Sequence, residues 1–304
     1  MSGKITSKST VPPTGAAMTF GQLFDLYIEQ YAKRHTKTWA DTIENYRRYF
    51  SRWHKRRLDS IKRLEVQAWV DDLAQTKGKH CANRNYDTMR AVFSWALRKE
   101  VIEELRNPCL GVDKYKVRSR QRFVLPGEFA ALAAAIDAEP NETIRDFFWL
   151  CLFTGARKAN VLAMSWHDVN FELRTWTIPD TKNGDPQIVN LIDEAIKILL
   201  VRKNKAVCEW VFPSPRRQGH LICPKSAWKR LRERSGLKDL RIHDLRRTLG
   251  SYMAIQGTSP TIIAKALGHR SLQATAVYTR LTQDPVREAV ENALGALIRQ
   301  DKDG

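Results

Sequence analysis

The chain has 304 residues, 43% of them hydrophobic and 28% charged, so it can bury a core and is not disordered as a whole; its length fits two domains or one large one. Lys and Arg number 51 against 33 Asp and Glu, a formal net charge of +18 with a pI near 9.9, which points to a polyanionic partner, nucleic acid ahead of an acidic membrane surface. Apolar runs fall short of the roughly 18 residues a membrane span needs, and the N-terminus MSGKITSKSTVPPTGAAM lacks the apolar core of a signal peptide; a cytoplasmic, nucleoid-associated protein is expected.

Residues 1–16 are small, polar and basic around Pro12-Pro13 and read as a flexible tail. From Thr19 the pattern becomes helical. TFGQLFDLYIEQYAKR sets Phe20, Leu23, Phe24, Tyr27, Ile28 and Tyr31 on one stripe at 3–4 spacing. ADTIENYRRYFSRWHKRR and RLEVQAWVDDLAQ follow, then ANRNYDTMRAVFSWALRKEVI with a stripe of Tyr86, Met89, Val92, Phe93 and Ala96. The breaker Asn107-Pro108 closes this part. Residues 17–112 therefore read as a bundle of about four helices. Residues 113–124, DKYKVRSRQRFV, have neither helical nor strand periodicity and read as a basic linker.

The second domain, residues 125–304, opens on LPGEFAALAAAIDAE, with Pro126 suited to a first helical turn. ETIRDFFWLCLF and TGARKANVLAMSWHDV come next. The period then changes: Trp176 and Ile178 alternate, Lys182-Asn183-Gly184-Asp185 turn, and Ile188 and Val189 resume, the pattern of a β-hairpin. From DEAIKILLVRK onward the chain reads as mainly helical. The expected class is mainly α with a small antiparallel β-sheet. In the last segment Asp284 suits an N-cap and Pro285 a first turn, and Val286, Ala289, Val290, Ala293, Leu294, Leu297 and Ile298 form an apolar stripe. That stripe packs either on its own domain or on a neighbouring protomer.

Charge is shared between the two parts. Through Lys116 there are 22 Lys and Arg against 13 Asp and Glu, and 29 against 20 follow, so each part carries +9 and both are expected to touch the same polyanion. The densest basic run, NYRRYFSRWHKRR, sets Arg47, Arg48, Arg52, Lys55, Arg56 and Arg57 among Tyr49, Phe50 and Trp53. It reads either as a solvated face beside an aromatic stripe or as a clamp on DNA phosphates, which position without specifying sequence. Arg84 and Arg90, on the last helix of the bundle, are candidates for a groove. The five cysteines, Cys81, Cys109, Cys151, Cys208 and Cys223, are odd in number without a CxxC pair, as for reduced and mostly buried thiols. His220 with Cys208 and Cys223 has irregular spacing and lacks a fourth ligand, so no metal site is expected.

Four separated stretches carry chemistry. In FTGARKANVLAMSW, Arg157 follows Thr154-Gly155 where a helix begins, and free backbone N–H groups beside a guanidinium suit an anion. Lys182 sits in the hairpin turn as an ammonium on a long stem. In RIHDLRRTLGSYM, His243 and Arg246 are three apart and share a helical face. LGHRSLQATAVYTRL supplies His269 after Gly268, then Tyr278. Singly these are a surface arginine, a solvated lysine, a helix-end histidine and a core tyrosine.

In order, however, Arg, Lys, His-x-x-Arg, Gly-His and Tyr, with the flanks TGAR, HDLRRT, LGH and YTR, resemble the signature of the tyrosine recombinases, the phage-integrase family, over about residues 19–285. The resemblance implies a core-binding helical domain and a catalytic domain that grip duplex DNA like a C-shaped clamp. It implies site-specific recombination through a covalent 3′-phosphotyrosine, with no ATP, metal or cofactor. Tyr278 would be the nucleophile, Arg157 and Arg246 the braces of the phosphate oxygens, and His243 and His269 its further ligands. Lys182 would protonate the departing 5′ oxygen. Such proteins work as homotetramers on paired sites with inverted repeats, exchanging C-terminal segments. One position departs from the pattern: Asn160 stands where an acidic residue is usual, three after the first arginine, which puts the alignment of Arg157 at issue. Many integrases also carry an arm-binding N-terminal domain, for which 16 residues are too short. Alternative readings are a non-catalytic DNA-binding relative and a type IB topoisomerase-like enzyme.

Overall fold

The computed structural model describes residues 18–102, 105–117, 120–179, 186–215, 218–222 and 224–269, together with Thr275, Ala276, Tyr278 and Glu291. Lys182, Cys223 and the whole of the expected C-terminal apolar stripe lie outside the described residues. The chain divides into two compact units, Met1–Ser119 and Arg120–Gly304.

The first unit is helical. Helix α1 (Phe20–Tyr27) starts on a reciprocal cap, in which Thr19 Oγ1 accepts from the Gln22 amide and Gln22 Oε1 accepts from the Thr19 amide. It runs on through one wide turn, Ile28–Ala32. Helix α2 (Trp39–Tyr49) is followed by a single helical turn, Ser51–His54. Helices α3 (Arg63–Lys77) and α4 (Lys79–Arg98) are separated by Gly78 alone, whose φ of +90° belongs to glycine. The stripes expected at 3–4 spacing face inward: Phe20, Leu23, Phe24 and Tyr27 from α1, with Ile28 from the wide turn, meet Tyr86, Met89, Val92, Phe93 and Ala96 from α4 in one core. Aromatic rings dominate it. Phe50 meets Trp69 edge-on at 4.8 Å and Trp53 meets Trp69 at 5.9 Å, arrangements worth about 0.5–1.5 kcal/mol each beyond the area they bury.

The stretch expected as a basic linker is hydrogen-bonded along much of its length. The Asp113 amide donates to Gln67 Oε1 at 2.8 Å, Tyr115 exchanges two hydrogen bonds with the Asn83 side chain, and its hydroxyl donates to Asp71 at 2.7 Å. On the side of the second unit, Arg122 forks onto Glu128, and the Val124 amide donates to Thr248 Oγ1 at 2.9 Å. Irregular backbone carries unpaired polar groups, and side-chain amides and a hydroxyl supply their partners here.

The second unit combines helices with a three-stranded antiparallel sheet. Helices α5 (Pro126–Asp137), α6 (Glu142–Thr154) and the short α7 (Lys158–Leu162) come first. The strands β1 (Val169–Asn170), β2 (Thr175–Ile178) and β3 (Gln187–Asn190) lie in the order β1-β2-β3, with Trp176 opposite Val189. The two-residue β1 is too short to leave an alternating pattern in sequence. Trp176 and Ile178 point into the core and Ile188 points out, since Gln187 and Val189 are the inward pair of β3. Helices α8 (Asp193–Asn204), α9 (Lys225–Ser235), α10 (Ile242–Ile255) and α11 (Pro260–Leu267) follow. Phe147, Phe148, Trp176, Phe212, Leu231, Leu240 and Leu245 share one core, which fixes the buried side of α10 and turns the other toward the site.

Candidate active site

Two helices end on left-handed glycines, and the site is built between them. Gly155 terminates α6 with φ +57°, and Gly268 terminates α11 with φ +61°. A helix end leaves carbonyls without intrahelical partners. Arg246, one turn into α10, takes two of the carbonyls in these turns: Nη1 donates to Gly155 O at 2.8 Å, and Nη2 donates to Leu267 O. Arg157, just beyond the first glycine, donates to Gly268 O at 3.4 Å. Both guanidiniums thus converge on the turn at residues 267–268.

Arg246 is 3% exposed and Arg157 is partly buried. Among the described residues neither has a carboxylate partner, and Arg157 Nη1 is buried without a hydrogen-bond acceptor. Burial, and then repulsion from Arg157, lowers the Arg246 pKa to about 10, which still leaves it cationic at neutral pH. A buried cation normally has a carboxylate beside it. Two cations held by neutral carbonyls leave an opening for an anion.

The expected partners stand around this pair. His243 lies one turn before Arg246 on α10 with an exposed edge; partial burial, and then the Arg247 and Arg246 charges, hold its pKa below the usual imidazole value. His269 follows the second glycine and is half-buried. Burial first, then Arg246, Arg157 and His243, push its pKa down to about 4, so its ring is neutral at physiological pH. The Tyr278 ring lies parallel to it, 8° apart in plane with centroids 6.3 Å apart. Tyr278 is 5% exposed, packs with Ala254, Ile263 and Leu267, and has its pKa raised by burial, with Arg246 and Arg247 acting in the opposite sense. Five of the six residues singled out in sequence are therefore gathered in one place. The sixth, Lys182, lies outside the described residues. Asn160 is the third residue of α7, and its Nδ2 is buried without an acceptor.

Four positions that sequence reasoning did not single out support the site. Asp244 is fully buried; it accepts from the Arg241 amide at 2.9 Å, from Arg247 at 2.8 Å and from Arg120 at 3.2 Å. Arg247 thereby pairs with Asp244 within α10. Gly250 is the bed of the tyrosine: a Cβ there would lie 2.7 Å from Tyr278 Cζ. Gln187, at the start of β3, donates to Ala266 O at 3.2 Å and lies against Gly268, tying the hairpin to the end of α11. Thr275 is fully buried beside His269. Only Asp244 left a sequence signal, an acidic residue three after the residue preceding a helix.

In the helical unit the basic residues fall into different surroundings. Arg56 is forked onto Glu65 and Arg57 onto Asp59, while Arg48 pairs with Glu44. Arg52 lies over the Trp53 ring at 5.4 Å. Arg47, Arg52, Lys55 and Arg56 border a cleft of about 690 Å³ floored by Phe24 and Tyr46. Arg84 borders a separate groove with His80, Asn83, Thr88 and Lys114, and Arg90 is exposed farther along α4. Part of the charge of the basic run is thus already answered by neighbouring carboxylates. Among the described residues no helix is long and apolar enough to cross a membrane.

The family model described as the phage integrase family matches residues 122–284. Tyrosine recombinase XerA of Pyrococcus horikoshii is 30% identical over 280 residues, covering 89% of this chain and 92% of that protein. Among solved structures, the Tn1549 transposon integrase in complex with a circular intermediate DNA is similar at a TM-score of 0.72 and 16% identity, covering 92% of this chain and 100% of that one. A lambda integrase from a tetramer bound to a Holliday junction is similar at a TM-score of 0.69 and 18% identity, covering 87% of this chain and 78% of that one. The chain belongs to the phage integrase family, the tyrosine-type site-specific DNA recombinases.

Proposed function

We propose that this recombinase opens and reseals duplex DNA through a covalent bond between Tyr278 and a 3′ phosphate, with Arg157, Arg246, His243 and His269 around the reacting phosphorus. The observation that carries this reading is the pair of guanidiniums that, among the described residues, have no carboxylate partner and lie beside a buried tyrosine. As the Tyr278 oxygen bonds to phosphorus, negative charge grows on the non-bridging oxygens, where two fixed cations and a neutral imidazole donor act most strongly. The raised pKa of Tyr278 means that its proton must leave during attack, and the neutral His243 ring is suited to accept it. Lys182 is assigned to protonate the 5′ oxygen as its bond to phosphorus breaks. The phosphotyrosine keeps the energy of the broken bond, so rejoining by the 5′ hydroxyl needs no nucleotide.

Double-stranded DNA is the partner, with Arg47, Arg52, Lys55, Arg84 and Arg90 as exposed candidates for phosphate contacts. A homotetramer coupled by the apolar stripe after Asp284 is part of the same reading; the lambda integrase tetramer, a chain of this fold, supports it. A duplex nicked near the cleavage point tests the chemistry. Tyr278→Phe should still shift the duplex on a gel and form no covalent adduct; an adduct in that variant refutes the assignment. Removal of residues 289–304 should leave binding to one site and abolish cooperative assembly on two, and a truncated protein that still assembles would exclude the exchange.

A further inference from the structure

His269 has two ring nitrogens, and among the described residues one of them, Nδ1, has a hydrogen-bond neighbour. Nδ1 lies 3.0 Å from Thr275 Oγ1, and Thr275 is fully buried. The backbone of His269 is fixed as well, since its amide donates to Ala264 O at 2.8 Å at the end of α11. The backbone amide and Nδ1 are therefore both engaged, and among the described residues Nε2 is the ring nitrogen left for a substrate.

A neutral imidazole carries its proton on one nitrogen, and what bonds to one side decides what the other can do. An acceptor at Nδ1, such as a carbonyl or carboxylate, would draw the proton there and leave Nε2 with a lone pair facing the phosphate. A hydroxyl can donate instead. With the charges of Arg246, Arg157 and His243 all opposing a second proton on the ring, the neutral form prevails and its tautomer matters.

We propose that Thr275 is a positioning residue for His269: its hydroxyl donates to Nδ1 and so holds the proton on Nε2, where it can be given to a phosphate oxygen. This rests on the reading of His269 as a phosphate ligand. Thr275 touches no reacting atom; it sets the direction of the hydrogen bond that His269 makes. Orientation by such an outer partner is the arrangement seen for metal-bound histidines, where its loss costs roughly ten- to hundredfold.

The test uses the full-length protein, single-turnover adduct formation on the nicked duplex and ¹⁵N spectra of the histidine ring nitrogens. The natural protein should show His269 protonated on Nε2. Thr275→Val, nearly isosteric but without the hydroxyl, should mix the tautomers and slow adduct formation by roughly ten- to hundredfold. Thr275→Ser should restore both the tautomer and most of the rate, and with His269→Ala already in place Thr275→Val should cost nothing further. A proton on Nδ1 in the natural protein overturns the proposal, as does an equal loss from Thr275→Val with and without His269. If His269→Ala cleaves normally, the reading of His269 as a phosphate ligand has failed. If His269→Ala is slow while Thr275→Val is fast, only the role of Thr275 has failed. Should Thr275→Val melt too early to assay, the comparison of Thr275→Ser with the natural spectrum decides.

Discussion

Gly250 should separate the stability of α10 from the action of Tyr278, the proposed nucleophile. In the middle of a helix, replacing Gly by Ala ordinarily stabilises by about 0.8–1.0 kcal/mol. At Gly250 the new methyl would lie 2.7 Å from Tyr278 Cζ, 2.9 Å from Cε1 and 2.8 Å from Leu267 Cδ1. Ordinary contact begins at 3.4 Å, so the ring must withdraw by at least the difference between 3.4 and 2.7 Å. Overpacking of this kind costs about 1–3 kcal/mol, which cancels or outweighs the propensity gain. Gly250→Ala should therefore melt at the natural temperature or a few degrees below it, at about 2–4 °C per kcal/mol for a domain of this size. Adduct formation on the nicked duplex should fall by on the order of 10²-fold, the cost of about an ångström of misplacement at a reacting centre. Gly127→Ala is the control. It sits in the first turn of α5 with no atom within 4 Å of the added Cβ, so it should stabilise slightly and cleave normally. Gly250→Ala with the stability gain of the control and a natural cleavage rate would refute the packing of the Tyr278 ring against α10.

Arg246→Ala should slow adduct formation by on the order of 10²–10³-fold, as loss of a charge-stabilising donor does; gel shift on the same duplex should weaken far less, and equal losses would make Arg246 an ordinary phosphate grip. Asp244→Asn removes the buried carboxylate shared by Arg120, Arg247 and the Arg241 amide; unfolding in denaturant should show a loss on the order of 3 kcal/mol. His269 gives a pH dependence with a definite sign. Its folded pKa is depressed to about 4 from an ordinary value of 6.5. As pH falls from 6.5 to 4 the unfolded chain gains a proton that the native ring does not, so stability declines across that window and levels below it. Melting from pH 4 to 7 should show less of this slope in His269→Gln, and an unchanged slope would mean that other groups produce it.

Local spacing made most of the site legible. His243 and Arg246 are one helical turn apart in any α-helix, so their shared face follows from counting, and Arg157 after Thr-Gly follows from the way helices end. The stripes of α1 and α4 were legible for the same reason. What escaped depends on contacts between distant parts of the chain. Arg120 meets Asp244 across 124 positions, and no local pattern marks either as a partner. Gly250 looks like any helix glycine until a ring is laid on it. Thr275 is one threonine among several until its hydroxyl meets an imidazole. The pairing of Arg56 escaped as well, because it reaches Glu65, nine residues on, only once the chain has turned after Trp53.

In the DNA complex proposed above, the burial of Arg246 also separates two kinds of attraction. Mobile ions screen exposed charges over a distance of about 10 Å at 0.1 M salt and act far less on buried ones. Arg47, Lys55, Arg84 and Arg90 stand in solvent, and their contribution falls as salt rises. Arg246 has 3% of its surface exposed and carbonyl oxygens along its inner side, so little electrolyte reaches it. Raising the ionic strength should thus loosen the hold on the duplex well before it alters the field at the phosphate to be cut. A complex formed at high salt would be short-lived yet, while it lasts, as fast to react as one formed at low salt.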